Sequence, residues 1–217
     1  MRILLILTLL TSPSAATFGA TILALGDSIT AGTGKGAAAY RHFLNDRLRE
    51  SGLNFRFIGP NRDGKDLNHA GFSGWNSRRI RAITEKTYRQ FPADIVLLHS
   101  GHNHFAKDNP VPGVIADTRA IVESILRINP QAQVLLAQVI PAGKLPKYSY
   151  IPELNRELAR LAEDFKKHRR PVTLINQAQD FDWRTDTTAD MVHPNAAGAK
   201  KMADKWFAAI QKTIRSK

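Results

Sequence analysis

Ala20-Thr21-Ile22-Leu23-Ala24-Leu25, running into Gly26-Asp27-Ser28-Ile29-Thr30, is the stretch whose reading decides the fold. The first six residues are apolar almost without a break. Such a run fits a parallel strand covered on both faces, where polar alternation is not needed. Phe55–Ile58, Ile95–His99, Val134–Ile140 and Val172–Ile175 repeat the pattern at intervals long enough for a crossover. Helical patterns fill the intervals, near residues 37–51, 76–90, 114–128 and 195–214. The clearest runs through Ile151, Leu154, Leu158, Leu161 and Phe165, whose three- and four-residue steps mark one helix face; Met202, Trp206 and Ile210 make a similar stripe. Strand alternating with helix predicts an open α/β fold, a three-layer α/β/α sandwich with right-handed crossovers.

Composition supports one domain of this kind. The chain has 217 residues, is 43% hydrophobic and contains no cysteine. That is enough chain for a core without staples. It excludes a disulfide scaffold, a thiolate metal site and a cysteine nucleophile. At the start, Met1-Arg2 precedes an apolar run from Ile3 to Leu10, and Thr11-Ser12-Pro13 then gives way to Ser14-Ala15-Ala16. This is the pattern of an export signal over residues 1–16, too short to span a bilayer. The expected mature domain is 17–217, exported to a periplasmic or extracellular space. Loss of Arg2 with the leader lowers the net charge from +12 to +11.

In open α/β sheets ligands bind beyond the carboxyl ends of the strands, so the residues after each strand carry the chemistry. Ser28 follows the first strand, where a serine is equally a helix N-cap or an exposed nucleophile. Thr30 occupies the second glycine position of a Gly-x-Ser-x-Gly elbow, so that motif is absent. The loop after the second strand holds His69-Ala70-Gly71-Phe72-Ser73-Gly74-Trp75. Its glycines fit either an ordinary turn or a backbone that approaches a ligand closely. Ser100-Gly101-His102-Asn103-His104 follows the third strand, and Asn103 there caps a helix or aims its amide into the cleft. Asp190-Met191-Val192-His193-Pro194-Asn195 precedes the last helix. An acid three residues before a histidine can meet its ring within one turn, fixing the tautomer.

Taken together, these segments resemble the four blocks of the SGNH hydrolases, also called GDSL esterases: Ser28, Gly74, Asn103 and His193. The resemblance runs from Gly26 to about Gly198. Leu25 to Thr30, Tyr40-Arg41, Phe57-Ile58-Gly59 and the His69, Gly71, Gly74, Trp75 set look more narrowly like the acetylxylan-esterase-like carbohydrate esterases. The resemblance implies a flavodoxin-like, five-stranded parallel sheet. It implies a catalytic set of Ser28 as nucleophile, His193 as base and Asp190 orienting it. It places the oxyanion hole at the backbone N–H groups of Ser28 and Gly74 and the Asn103 amide. Gly71 is the alternative to Gly74, and Asp186 the alternative to Asp190. The family has aspartate after its block asparagine, where this chain has His104. No metal or organic cofactor is implied. The expected activity is hydrolysis of small acyl esters, foremost acetyl esters of carbohydrate. The same scaffold also admits a lipid-directed esterase or lysophospholipase, an acyl transferase, and a silent carbohydrate-binding module.

Two other patterns compete for attention. His99, His102 and His104 could be read as a metal cluster, but there is no HExxH helix and no cysteine to complete it. The 31 basic residues are spread along the chain, densest at Lys166-Lys167-His168-Arg169-Arg170 and over Lys200, Lys201, Lys205, Lys212, Arg215 and Lys217. The default reading is a solvated face, with attraction to anionic envelope polymers as its functional counterpart. Nucleic-acid binding lacks groove-reading or stacking elements, and no later stretch is long and apolar enough to span a membrane.

Overall fold

The computed structural model describes residues 19–64 and 67–215. The expected export segment 1–16 lies outside the described residues. Six parallel strands form one sheet: β1 (Ala20–Gly26), β2 (Phe55–Ile58), β3 (Ala70–Gly71), β4 (Ile95–His99), β5 (Gln133–Ala137) and β6 (Val172–Ile175). The order is β2-β1-β4-β5-β6, with β3 also paired to β1. Leaving out the two-residue β3, this is the flavodoxin-like order. Five long strands fall where the apolar runs place them.

Two differences from the sequence expectation have local causes. The sheet has a sixth strand because β2 pairs with β1 only as far as Leu23, and β3 takes over the edge opposite Leu25 and Gly26. Two residues are too short to leave a periodic signal. The expected strand over Val134–Ile140 stops at Ala137 because the Asn155 side chain takes over the ladder's role. Its Oδ1 accepts from Val139 N (2.7 Å) and its Nδ2 donates to Val139 O (2.8 Å). Val139 and Ile140 are therefore buried outside the sheet.

Each face of the sheet carries its own core. Leu23, Leu25, Val96, Leu98, Val134 and Leu136 point to one side. There they meet α3 (Ser77–Gln90), α4 (Val111–Ile128) and α5 (Ile151–Lys167). The alternate residues Ile22, Ile95, Leu97, Leu135 and Ala137 meet α2 (Tyr40–Glu50) and α7 (Ala196–Arg215) on the other side. This is why the strands are apolar throughout rather than alternating. The stripe through Leu154, Leu158, Leu161 and Phe165 is buried, and so is that through Met202, Trp206 and Ile210. Each such aliphatic or aromatic side chain contributes roughly 1.5–3 kcal/mol of burial. Two short helices, α1 (Ser28–Ala31) and α6 (Trp183–Asp186), lie at the carboxyl end of the sheet. No helix among the described residues is long and apolar enough to cross a membrane.

Candidate active site

The site is assembled where β1 and β4 end. Gly26 closes β1 under tight constraint: a Cβ there would lie 2.2 Å from His99 O and 2.3 Å from Thr30 Oγ1. Asp27 turns the chain, and its Oδ1 accepts from Ile29 N at 3.0 Å to cap α1. Ser28 opens α1, which ends after one turn at Gly32, where φ is +74°. Buried Arg41 holds this turn from below. Its Nε donates to Thr30 O (2.9 Å), its Nη2 to Ala31 O (3.1 Å), and its Nη1 to Leu67 O (2.6 Å) and to Asp63 (3.1 Å).

His193 reaches this serine from the loop before α7. Its Nε2 is 2.8 Å from Ser28 Oγ and its Nδ1 is 2.5 Å from Asp190 Oδ2. Asp190 Oδ1 also accepts from Val192 N (2.8 Å) and His193 N (2.9 Å). Partial burial opposes the charge on Asp190. The backbone N–H of His193, its ring and the N–H of Val192 outweigh that, and the carboxyl is held well below the usual range. An ionised Asp190 accepts a hydrogen bond from His193 Nδ1–H, which holds the proton on Nδ1 and leaves the Nε2 lone pair facing the Ser28 hydroxyl. Gly34, at φ +131°, brings its backbone against the other side of the ring; a Cβ there would lie 3.1 Å from His193 Cγ.

The alternative acid is engaged elsewhere. Asp186 is buried in α6, where it accepts from Lys201 Nζ (2.7 Å) and Asp182 N (2.8 Å). The two candidate glycines also separate. Gly71 N donates to His69 Nδ1 (3.0 Å), and a Cβ on Gly71 would lie 2.5 Å from Ala31 N. Its N–H is therefore spent and its face is packed. Gly74 sits at φ +75° with open space around it, and among the described residues its N–H has no hydrogen-bond partner. Asn103 adopts the left-handed region at φ 62°, and its Nδ2 donates one proton to Trp75 O at 3.0 Å. That bond fixes the amide plane and leaves its second N–H available. The structure thus brings together Ser28, His193 and Asp190 by direct contact, and ties Asn103 to the Gly74–Trp75 segment.

The three histidines near β4 do not converge. His99 and His102 are fully buried with ring centroids 5.7 Å apart, whereas His104 turns toward the start of α3. Among the described residues no group of three or more histidine, cysteine, aspartate or glutamate side chains is placed to hold a metal. The supporting roles of Arg41, Asn155 and Ser77 were not visible in the sequence. Arg41 left a trace: it is a charged residue beside Tyr40 at the head of the buried Tyr40, Leu44, Leu48 stripe.

A serine, a histidine and a carboxylate in hydrogen-bonded series, on a flavodoxin-like sheet beside free amide donors, define a serine-hydrolase type of site. Residues 24–201 match the GDSL-like Lipase/Acylhydrolase family, and the chain belongs to that family. It is 25% identical, over 90% of its length, to the multidomain esterase of Ruminococcus flavefaciens, and spans only 29% of that relative. Among solved structures it resembles a family 3 carbohydrate esterase of Clostridium thermocellum: TM-score 0.78, 25% identity, 91% of this chain and 98% of the other. It resembles a family 3 carbohydrate esterase of Talaromyces cellulolyticus with TM-score 0.81 and 21% identity, over 91% of this chain and 99% of the other. An acetyl xylan esterase of Geobacillus stearothermophilus shares the fold, with TM-score 0.67, 20% identity and coverage of 88% and 94%.

Proposed function

We propose that this protein is an exported serine esterase that removes acetyl groups from carbohydrate. The observation that carries the reading is the continuous series Asp190 Oδ2, His193, Ser28 Oγ, with contacts of 2.5 and 2.8 Å. The family 3 carbohydrate esterase of Clostridium thermocellum, alike in fold at 25% identity, supports carbohydrate as the substrate class. The leader-like residues 1–16 support export.

The chemistry follows from the contacts. Ser28 Oγ attacks the ester carbonyl carbon as His193 Nε2 takes the hydroxyl proton. The carbonyl oxygen becomes an oxyanion, received by the N–H groups of Ser28 and Gly74 and the free N–H of the Asn103 amide. Each such donor is worth on the order of 10²–10³ in turnover. The tetrahedral adduct collapses, the imidazolium protonates the leaving sugar oxygen, and an acyl-Ser28 ester remains. Water then loses a proton to His193 Nε2 and attacks that ester, releasing acetate and restoring the serine. Asp190 stays ionised throughout and stabilises the imidazolium.

The test is acetate release from acetylated oligosaccharides and from a nitrophenyl acetate, by wild type and Ser28→Ala. A fall on the order of 10⁴ or more in the variant is expected. Equal rates would remove Ser28 from the mechanism.

A second reading, an esterase for longer acyl chains, draws on one observation. A cavity of about 530 Å³ is walled by Pro141, Ala142, Leu145, Tyr148, Ile151 and Trp183 among others. Its loop is tied to the catalytic loop by Gly143 N donating to Met191 O at 2.7 Å. A steep rise in kcat/KM from acetate to longer acyl esters would select this reading over the first.

A further inference from the structure

His104 stands where the family has an aspartate, and it is bonded differently from a plain surface histidine. Its Nε2 lies 3.3 Å from Ser77 N and 3.2 Å from Ser77 Oγ. The Ser77 hydroxyl hydrogen is already given to Asp117 Oδ2 at 2.8 Å, and Asp117 is held in turn by Arg81 at 3.0 Å. Ser77 is fully buried and is the first residue of α3, so its N–H has no carbonyl of its own helix to meet. The neutral imidazole, with a lone pair on Nε2, is the acceptor for that N–H.

Two bonds therefore cross between the strand-end segment and the glycine loop. Asn103 Nδ2 donates to Trp75 O, and Ser77 N donates to His104 Nε2. The residues involved lie close in sequence on both sides: Asn103 and His104 are adjacent on one, Trp75 and Ser77 flank Asn76 on the other, with Gly74 immediately before Trp75. The pair forms a clamp on the two oxyanion donors that come from outside α1.

We propose that neutral His104 is a positioning residue that sets Gly74 and Asn103 in register with Ser28, and that its protonation releases them. This rests on the proposed esterase reading. A proton on Nε2 converts the ring from acceptor to donor. It then gives that proton to Ser77 Oγ and leaves the buried Ser77 N–H without its partner. The family's aspartate would accept at any pH above its own titration. The histidine makes the oxyanion geometry conditional on pH.

The charges around the ring are mixed. Asp117 of α4 and Asp108 of the one-turn 3-10 helix Ala106–Asp108 favour the imidazolium, while Arg78 opposes it. Arg81 neutralises Asp117, and the Tyr150 ring packs edge-on against His104 with centroids 6.5 Å apart. Burial dominates and holds the titration below the ordinary histidine value.

The experiment compares acid limbs of log kcat against pH for wild type, His104→Asn and His104→Phe. Two groups must be neutral in the wild type, His193 and His104, so its limb steepens toward a slope of two. Asparagine supplies a carbonyl acceptor that does not titrate, so its limb keeps a slope of one. Phenylalanine has no acceptor, and kcat falls about 10-fold or more at every pH with KM little changed; asparagine recovers most of that loss. The Ser77 amide resonance, followed by NMR in the inactive Ser28→Ala protein, moves with the midpoint of the His104 ring. That measurement needs no turnover, so it stands apart from the esterase reading. Superimposable limbs for wild type and His104→Asn, or a Ser77 amide that ignores the His104 titration, would overturn the proposal. If His104→Phe fails to fold, the asparagine limb and the amide titration still decide it.

Discussion

Asp27 Oδ2 lies 3.9 Å from His102 Nδ1, with both side chains buried at the carboxyl end of the central strands. Asp27 Oδ1 is satisfied by the N–H of Ile29, but Oδ2 has no hydrogen-bond partner among the described residues. His102 Nε2–H donates to Ile140 O (3.2 Å), and burial pushes its titration well below the ordinary value. The residue next to Ser28 is thus a carboxyl that the fold prefers uncharged. Burial pushes it up to about 7, against the pull of the Ile29 N–H and of His193.

Stability should therefore depend on pH through Asp27 with an unusual sign. The folded state holds this proton up to about pH 7, while the unfolded chain releases it near 3.8. Between those values the folded state binds more protons, so stability falls as pH rises, by at most roughly 1.4 kcal/mol per unit. Asp27→Asn keeps the cap on Ile29 and removes the titration. Its melting temperature is expected to exceed that of the wild type by several degrees at pH 8 and to match it near pH 4. Thermal melts across that range check this, and a gap that does not widen with pH would refute it.

His99 runs the other way. It is fully buried, neither ring nitrogen has a partner among the described residues, and burial pushes its titration down to about 4. The unfolded histidine takes up a proton near 6.5, so between about 4 and 6.5 the unfolded state binds more, and stability is lost as pH falls. His99→Met, similar in volume and without titration, is expected to flatten the acid side of the stability curve. Urea midpoints at pH 5 and pH 7.5 measure it; the variant's midpoints should differ less than the wild type's.

The large features were legible in the sequence because they are periodic. A buried parallel strand is apolar at every position, and Ile22 facing α2 while Leu23 faces α3 is the structural reason. The site was legible for a different reason. Ser28, Asn103 and His193 each follow a strand or precede a helix, and Asp190 meets His193 within one turn, so short spacings carried the geometry. What was not legible depends on contacts between distant residues. Nothing local says that Asn155 ends β5 by bonding Val139, or that His104 meets Ser77 across 27 positions. The hydrogen bond that distinguishes Gly71 from Gly74, from Gly71 N to His69 Nδ1, is likewise supplied only by the fold.

Arg41 should behave as structure that serves the site. Its guanidinium gives hydrogen bonds to the carbonyls of Thr30, Ala31 and Leu67, and pairs with Asp63. Arg41→Met fills similar volume but leaves those buried acceptors unpaired. A loss of about 3–5 kcal/mol is expected, as for other broken buried charge networks. Denaturant unfolding gives the value, and a loss below about 1 kcal/mol would show that the network is dispensable.

The two acids near His193 should separate by what they damage. Asp190→Asn keeps the shape but no longer fixes Nδ1–H, so kcat should fall on the order of 10³–10⁴ with little change in melting temperature. Asp186→Asn breaks the contact with Lys201 and weakens that with Asp182 N, so it should lower the melting temperature and leave kcat within a few-fold. Steady-state kinetics beside thermal melts distinguish them, and the reverse pattern would assign the catalytic acid to Asp186.

The glycines should divide in the same manner. At Gly74 a Cβ meets nothing within 4 Å, but φ of +75° is a conformation that alanine resists by roughly 1–2 kcal/mol. Gly74→Ala should therefore fold, with its N–H displaced from the oxyanion, and lose about 10–10² in kcat. Asn103→Ala removes a donor outright and the bond to Trp75 O, and should lose on the order of 10²–10³. At Gly71 a Cβ would sit 2.5 Å from Ala31 N, a backbone atom that cannot yield without moving α1. Gly71→Ala should lower stability first and activity only as a consequence. If Gly71→Ala instead kept its melting temperature while losing kcat as Asn103→Ala does, the oxyanion donor would be Gly71 and the free N–H of Gly74 would need another explanation.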